Sequence, residues 1–223
     1  MSSSDLAGAL VRRAVPVARR LRRAALIRRI AVLASAVGST VDVDIALDAV
    51  IGRGIRIDVA PGTHTTVTIG AGTLVGDDVE LQLRGGTLEV GPWCDLRRGV
   101  SLKVAGRLVM GERTTVGEGS RLHCGHEVVL GERVGLAEYV TVVDSSHRHT
   151  ELGRPAHHDT VPGAVVVGDD CFVGSKATLT RSCRLGAFCI VGAGSVVVGE
   201  VADKTFVSGV PARVVSEVDL PWE

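Results

Sequence analysis

Aromatic side chains are scarce in this chain. Two Trp, one Tyr and three Phe make up 3% of its 223 residues, while the apolar share is 45%. A thick core built around rings is therefore excluded, and a narrow interior of Val, Leu, Ile and Ala is implied, with 28 Gly to turn it. Long apolar runs are missing too, since none approaches the ~18 residues of a membrane span. Behind Arg28 and Arg29, the apolar stretch from Ile30 to Ala34 is too short for a signal peptide. There is no C-x-x-C pair, and the five Cys are an odd number. A disulfide framework is thus excluded, and a reducing, cytoplasmic setting is expected.

Net charge is also absent, but its zero total hides an asymmetry. Residues 1–40 hold eight Arg against a single Asp, a balance of +7, and the remainder carries −7. The mildly acidic body gives no polyanion-binding surface, so nucleic acid is excluded as a partner.

The Arg-rich segment reads as helical over residues 5–37. Leu6, Leu10, Ala14, Val17, Leu21 and Ala24 form one apolar stripe, and Pro16 divides the segment or starts its second helix. A helix of this kind closes the end of a repeat array or packs on a neighbouring subunit. Its charge also suits weak association with an anionic membrane surface.

From about Val41 a six-residue period takes over. An aliphatic residue is followed by Gly or another small or polar residue, two variable residues, and then a small one. Val75-Gly-Asp-Asp-Val79, Met110-Gly-Glu-Arg-Thr114, Leu130-Gly-Glu-Arg-Val134 and Val167-Gly-Asp-Asp-Cys171 are among thirteen such units. The leading residues Val90, Met110 and Leu130 are 20 apart and Val167 and Leu185 are 18 apart, so three hexads make one coil. Each hexad is a short strand plus a turn. Three give a triangular coil, and coils stack by parallel pairing with the aliphatic residue inward, the small residue at position five in the corner and Gly at position two accepting the turn. Cys94, Cys171, Cys183 and Cys189 all fall at position five, as small buried hydrophobes.

The period breaks once. After Val140-Thr-Val-Val143 the chain runs through Asp144-Ser-Ser-His147-Arg-His149 and a polar excursion containing His157 and His158, and the hexads resume at Val167. A regular scaffold interrupted by one His-rich loop is where chemistry is expected. The chain divides into a helical segment 1–40, a solenoid 41–202 with its loop at 144–162, and a C-terminal cap and tail 203–223.

The hexads, the segment Val140 to His147, Gly192-Ala-Gly-Ser-Val196 and Gly209-Val-Pro-Ala-Arg213 resemble the hexapeptide-repeat acyltransferases, in particular the galactoside and maltose acetyltransferase branch. The resemblance covers roughly Val50 to Val215. It implies a left-handed parallel β-helix, an exception to the right-handed crossover rule, and a homotrimer. It also implies an O-acyltransferase that uses acetyl-CoA or another acyl-CoA on a hydroxyl of a sugar or glycosylated metabolite, with no metal. By the same resemblance His147 is the general base, a task that imidazole suits because it titrates near neutrality. Asp144 orients or polarises its ring. Gly174, Ser175, Gly192 and Ala193 contact the pantetheine arm, and Arg213 contacts a phosphate. His149, Glu118, His123 and His126 are candidates for the acceptor side. The sequence departs from the pattern at Val198-Gly199, where relatives often carry Thr-Lys, and at Gly117-Glu118-Gly119, where sugar acetyltransferases of the branch have Asn.

Three other readings follow from the same residues. One is N-acylation of an amino sugar or other amine. Another is a γ-type carbonic anhydrase that places His123, His126 and His147 on zinc, although the expected His-x4-His pair is missing. The third is a non-catalytic solenoid.

Overall fold

The computed structural model describes residues 21–147 and 160–219. Over these residues the chain forms a left-handed parallel β-helix of about seven turns behind one helix. Among the described residues its three faces are sheets of eight, nine and seven strands; neighbours follow every third strand except where a separate two-stranded pair intervenes and at the final consecutive pair.

The inward columns account for the hexad rule. On the first face Ile45, Ile69, Val90, Met110, Leu130, Val167 and Leu185 stand in register. The second face stacks Ile51, Val75, Leu96, Val116, Leu136, Val173 and Val191. The third carries Leu81, Leu102, Leu122, Val142, Leu179 and Val197. All are buried, and each contributes roughly 1.5–3 kcal/mol by leaving water. The offsets of 20 and then 18 residues per coil are those expected. The lowest coil is longer, with Thr40 paired to His64.

The corners correct one expectation. Gly at position two is not the residue that turns the chain through the left-handed region; position four is. Among the described residues ten non-glycine residues adopt positive φ, including Asp78, Trp93, Arg133, Tyr139 and Lys176. Position two is small because the next coil lies directly over it. A Cβ on Gly70 would stand 2.6 Å from the carbonyl carbon of Gly91.

Position five holds a second correction. All four position-five cysteines are buried, as expected, but three of them, Cys94, Cys171 and Cys189, also hydrogen-bond as Thr or Ser do. Thr114 Oγ1 donates to Gly131 O and accepts from Val134 N–H. In the same corner Cys94 Sγ bonds Gly111 O, Cys171 Sγ bonds Gly186 O, and Cys189 N–H donates to Cys171 Sγ. All five cysteines are free and buried, and burial pushes the Cys124 and Cys183 thiols up to about 12.

Below the first coil the helix at 21–36 inserts Leu26, Ile30 and Ala34 into the open end of the core. Arg23 Nε donates to Ile45 O and Arg29 Nη1 to Ile55 O, both at 2.7 Å, so half of its four arginines close the ladder. The helix ends at Gly38, whose φ of +65° marks a left-handed stop. Pro16 and the earlier part of the expected helix lie outside the described residues. No helix among the described residues is long and apolar enough to cross a membrane. At the opposite end Thr205–Gly209 and Ala212–Glu217 fold back as an antiparallel pair on the second face.

Candidate active site

The third-face strand Thr141–Val143 is the last element before the interruption. Beyond it Ser145–His147 leaves the corner between the third and first faces and pairs antiparallel with Thr160–Pro162, setting His147 opposite Thr160. His147 is exposed at the far end of this two-stranded arm. His149, His157 and His158 lie outside the described residues.

Asp144 sits at the root of the arm and is fully buried. Its carboxylate accepts three backbone N–H bonds from the coil below: Gly125 at 2.9 Å, His126 at 2.6 Å and Glu127 at 2.8 Å. Its own carbonyl accepts from Gly163 N–H at 2.8 Å, where the chain re-enters the ladder. Among the described residues no hydrogen bond or ion pair joins Asp144 to the His147 ring. Sequence reasoning placed Asp144 at the site but missed these partners, which lie 17–19 residues back.

The acceptor-side candidates are spread out. His123 is half-buried on the third face, in register between Lys103 and Val143. Burial, aided by Lys103 and Arg121, holds its imidazole below the ordinary value. His126 is exposed at the turn that Asp144 secures, and Glu118 is exposed at the corner between the second and third faces. Among the described residues no group of three or more His, Cys, Asp and Glu is placed to hold a metal ion.

The cofactor-side candidates do come together. Gly174-Ser175 and Gly192-Ala193 occupy successive coils at that same second-to-third-face corner, with Gly194 N–H donating to Ser175 O at 2.8 Å. Both glycines are sterically required. A Cβ on Gly174 would meet Ala193 N at 2.6 Å, and one on Gly192 would meet Ser208 Oγ at 2.5 Å. Beneath them Glu138, unnoticed in the sequence, accepts the Ser175 hydroxyl at 2.9 Å. Its own backbone N–H and this hydroxyl hold its carboxyl below the usual range. Arg213 is elsewhere. It lies opposite Ser208 on the final antiparallel strand, exposed, and lines a cavity of about 390 Å³ at the upper end together with Val197, Thr205 and Ala212. His147 and the stacked small residues thus hang from different corners, with the width of the third face between them.

No protein-family profile matches the chain. It is 26% identical over 163 residues to a probable acetyltransferase of Mycobacterium tuberculosis, a match covering 72% of this chain and 53% of that protein. To the galactoside O-acetyltransferase of Escherichia coli it is 27% identical over 95 residues, covering 42% of this chain and 46% of the relative. The chain is thus similar in sequence to acetyltransferases of the hexapeptide-repeat kind. It spans about half the length of these curated relatives. Among solved structures the fold of this hexapeptide-repeat chain is shared by a maltose O-acetyltransferase from Clostridium difficile. That comparison gives a TM-score of 0.52 and 19% identity, over 57% of this chain and 67% of the other.

Proposed function

We propose that this chain transfers an acyl group from an acyl-CoA, in the first place acetyl-CoA, to a hydroxyl of a sugar or glycosylated metabolite, with His147 as general base. The observation that supports this most is an imidazole held out on a short paired arm, rooted by buried hydrogen bonds in an otherwise unbroken ladder. An exposed ring on a rigid root can meet substrate in a fixed orientation.

The acceptor hydroxyl gives its proton to a ring nitrogen of His147 as its oxygen attacks the thioester carbonyl. The carbon–sulfur bond then breaks, and the departing thiolate takes the proton back from the imidazolium. No protein nucleophile is needed, because the thioester is already activated and positioning supplies much of the rate. The pantetheine arm runs along the corner of Gly174-Ser175 and Gly192-Ala193, where only small residues fit between coils. Backbone N–H groups near Ser175 face the developing oxyanion, and Arg213 takes a phosphate. Glu118, His123, His126 and His149 are acceptor-side residues.

The separation of the two corners supports an arrangement in which one protomer supplies the base and a neighbour the cofactor groove, as in a closed homotrimer. The test is acetyl-CoA consumption with maltose, galactosides, aminoglycosides and simple amines as acceptors. His147→Ala is expected to abolish turnover, and mixing it with Gly174→Ala protomers is expected to restore part of it. Undiminished turnover in His147→Ala removes the base assignment, and acylation of amines alone replaces O-transfer by N-transfer.

A further inference from the structure

Asp144 is the only buried charged side chain among the described residues. Burying a carboxylate is costly unless its charge is fully met by hydrogen bonds, so its position at the break in the ladder calls for a physical cause. The coil beneath that of Gly125 to Glu127 supplies one. In that coil's corner between the third and first faces the turn N–H groups are received by carbonyls of the next coil. Ala105 and Gly106 donate to Cys124 O and Arg107 donates to His126 O, at 2.8, 3.2 and 2.9 Å. Twenty residues on, the matching donors are Gly125, His126 and Glu127. Here the chain leaves the ladder for the arm, and Asp144 O, the counterpart of Cys124 O, is taken by Gly163 N–H, so no backbone carbonyl among the described residues receives the three donors. Asp144 Oδ1 takes the first and Oδ2 the other two.

We infer that Asp144 is a positioning residue whose carboxylate replaces the missing rung, and that it aims the arm bearing His147 without touching the imidazole. Two carboxylate oxygens, each with room for two donors, satisfy three N–H groups that would otherwise be orphaned at a buried corner. Because the Asp144 backbone also receives Gly163 N–H, both the exit and the return of the loop are fixed at this one residue. Ser145–His147 therefore leaves the ladder at a defined place. A neutral or absent side chain would free the root and let the arm swing. This rests on His147 as the base only where turnover is concerned; the pinning itself is independent of it.

The test uses Asp144→Ala and Asp144→Asn in the full chain, with His147→Ala as control. Amide exchange at Gly125, His126 and Glu127 is expected to rise about tenfold or more in Asp144→Ala, and less in Asp144→Asn, while Ala105 and Arg107 keep their protection. In acetyl transfer to whichever acceptor the wild type uses, kcat is expected to fall about tenfold with KM for acetyl-CoA within about twofold. The pH midpoint of the residual kcat/KM should stay at the wild-type value, because the carboxylate does not contact the ring. A displaced midpoint would mean direct ring contact and overturn the inference, and so would unaltered exchange at the three amides. If Asp144→Ala does not fold, Asp144→Asn decides, and wild-type exchange and kcat in that variant overturn the inference. Should the wild type transfer no acyl group at all, the acyltransferase reading fails, while the exchange result still decides the pin.

Discussion

The Ser175 hydroxyl donates to the Glu138 carboxylate at 2.9 Å, tying two stacked coils whose residues are 37 apart because the loop intervenes. The hydroxyl is thus spent on the ladder, and what this corner leaves free is backbone and space. Ser175→Ala should therefore leave both the melting temperature and KM for acetyl-CoA close to wild type. Gly174→Ala should not, since its Cβ would sit 2.6 Å from Ala193 N and 2.9 Å from Val191 O. Forcing atoms into such a contact destabilises by about 1–3 kcal/mol. Thermal unfolding with steady-state kinetics on the two variants checks the contrast, and a Ser175→Ala enzyme with strongly raised KM would assign the hydroxyl to the cofactor.

His123 makes stability depend on pH. Burial, with Lys103 and Arg121, depresses its folded pKa from the ordinary 6.5. The unfolded chain therefore binds a proton more readily than the folded one as pH falls below about 6.5, and stability falls with it. Above that value the contribution is fully present. Urea denaturation between about pH 5 and 7.5 should show a steeper loss in wild type than in His123→Gln. Parallel curves would mean that the ring titrates as if in water.

The cysteine at position 171 should behave as a hydroxyl surrogate. Its sulfur bonds Gly186 O at 3.0 Å and receives Cys189 N–H at 3.3 Å, while a side-chain hydrogen bond with the Cys189 thiol and burial raise its pKa. Cys171→Thr keeps both roles and matches Thr114 in the same corner. Cys171→Val keeps the bulk but strands a buried N–H, at about 1–3 kcal/mol. Guanidinium unfolding of the pair should rank Thr above Val. The reverse order would show that only size matters there.

These residues mark where the sequence is transparent and where it is not. Inward columns such as Ile69, Val90, Met110 and Leu130 are legible because each obeys a rule internal to its own hexad. The coil lengths follow from the same spacing. The role of Asp144 is opaque because its partners belong to the preceding coil, and nothing in the string Val143-Asp-Ser-Ser-His147 states which donors have lost their acceptors. The turning role of position four is opaque for a related reason. A solenoid repeats one backbone turn so rigidly that Trp93, Tyr139 or Lys176 are held in a left-handed conformation that glycine alone would choose freely. Glu138 stayed hidden because the loop shifts its partner to an unfamiliar separation of 37 residues.

The helix at 21–36 sets the stability of the lower end. Its Ile30 is completely buried beneath the first coil, and Leu26 and Ala34 flank it. In a repeat array each coil is stabilised chiefly by its neighbours, so the terminal coil depends on its cap. Ile30→Ala removes a buried aliphatic side chain where little can collapse to fill the gap, a loss of about 2–5 kcal/mol. The loss should be local first. Amides such as Ala46 and Val50, which donate to Ile69 O and Thr73 O, should exchange faster, while Arg121 N–H on Val140 O stays protected. Hydrogen exchange resolved by residue checks this gradient. Uniform acceleration through all coils would show that the solenoid unfolds as one unit and that the helix is no separate cap.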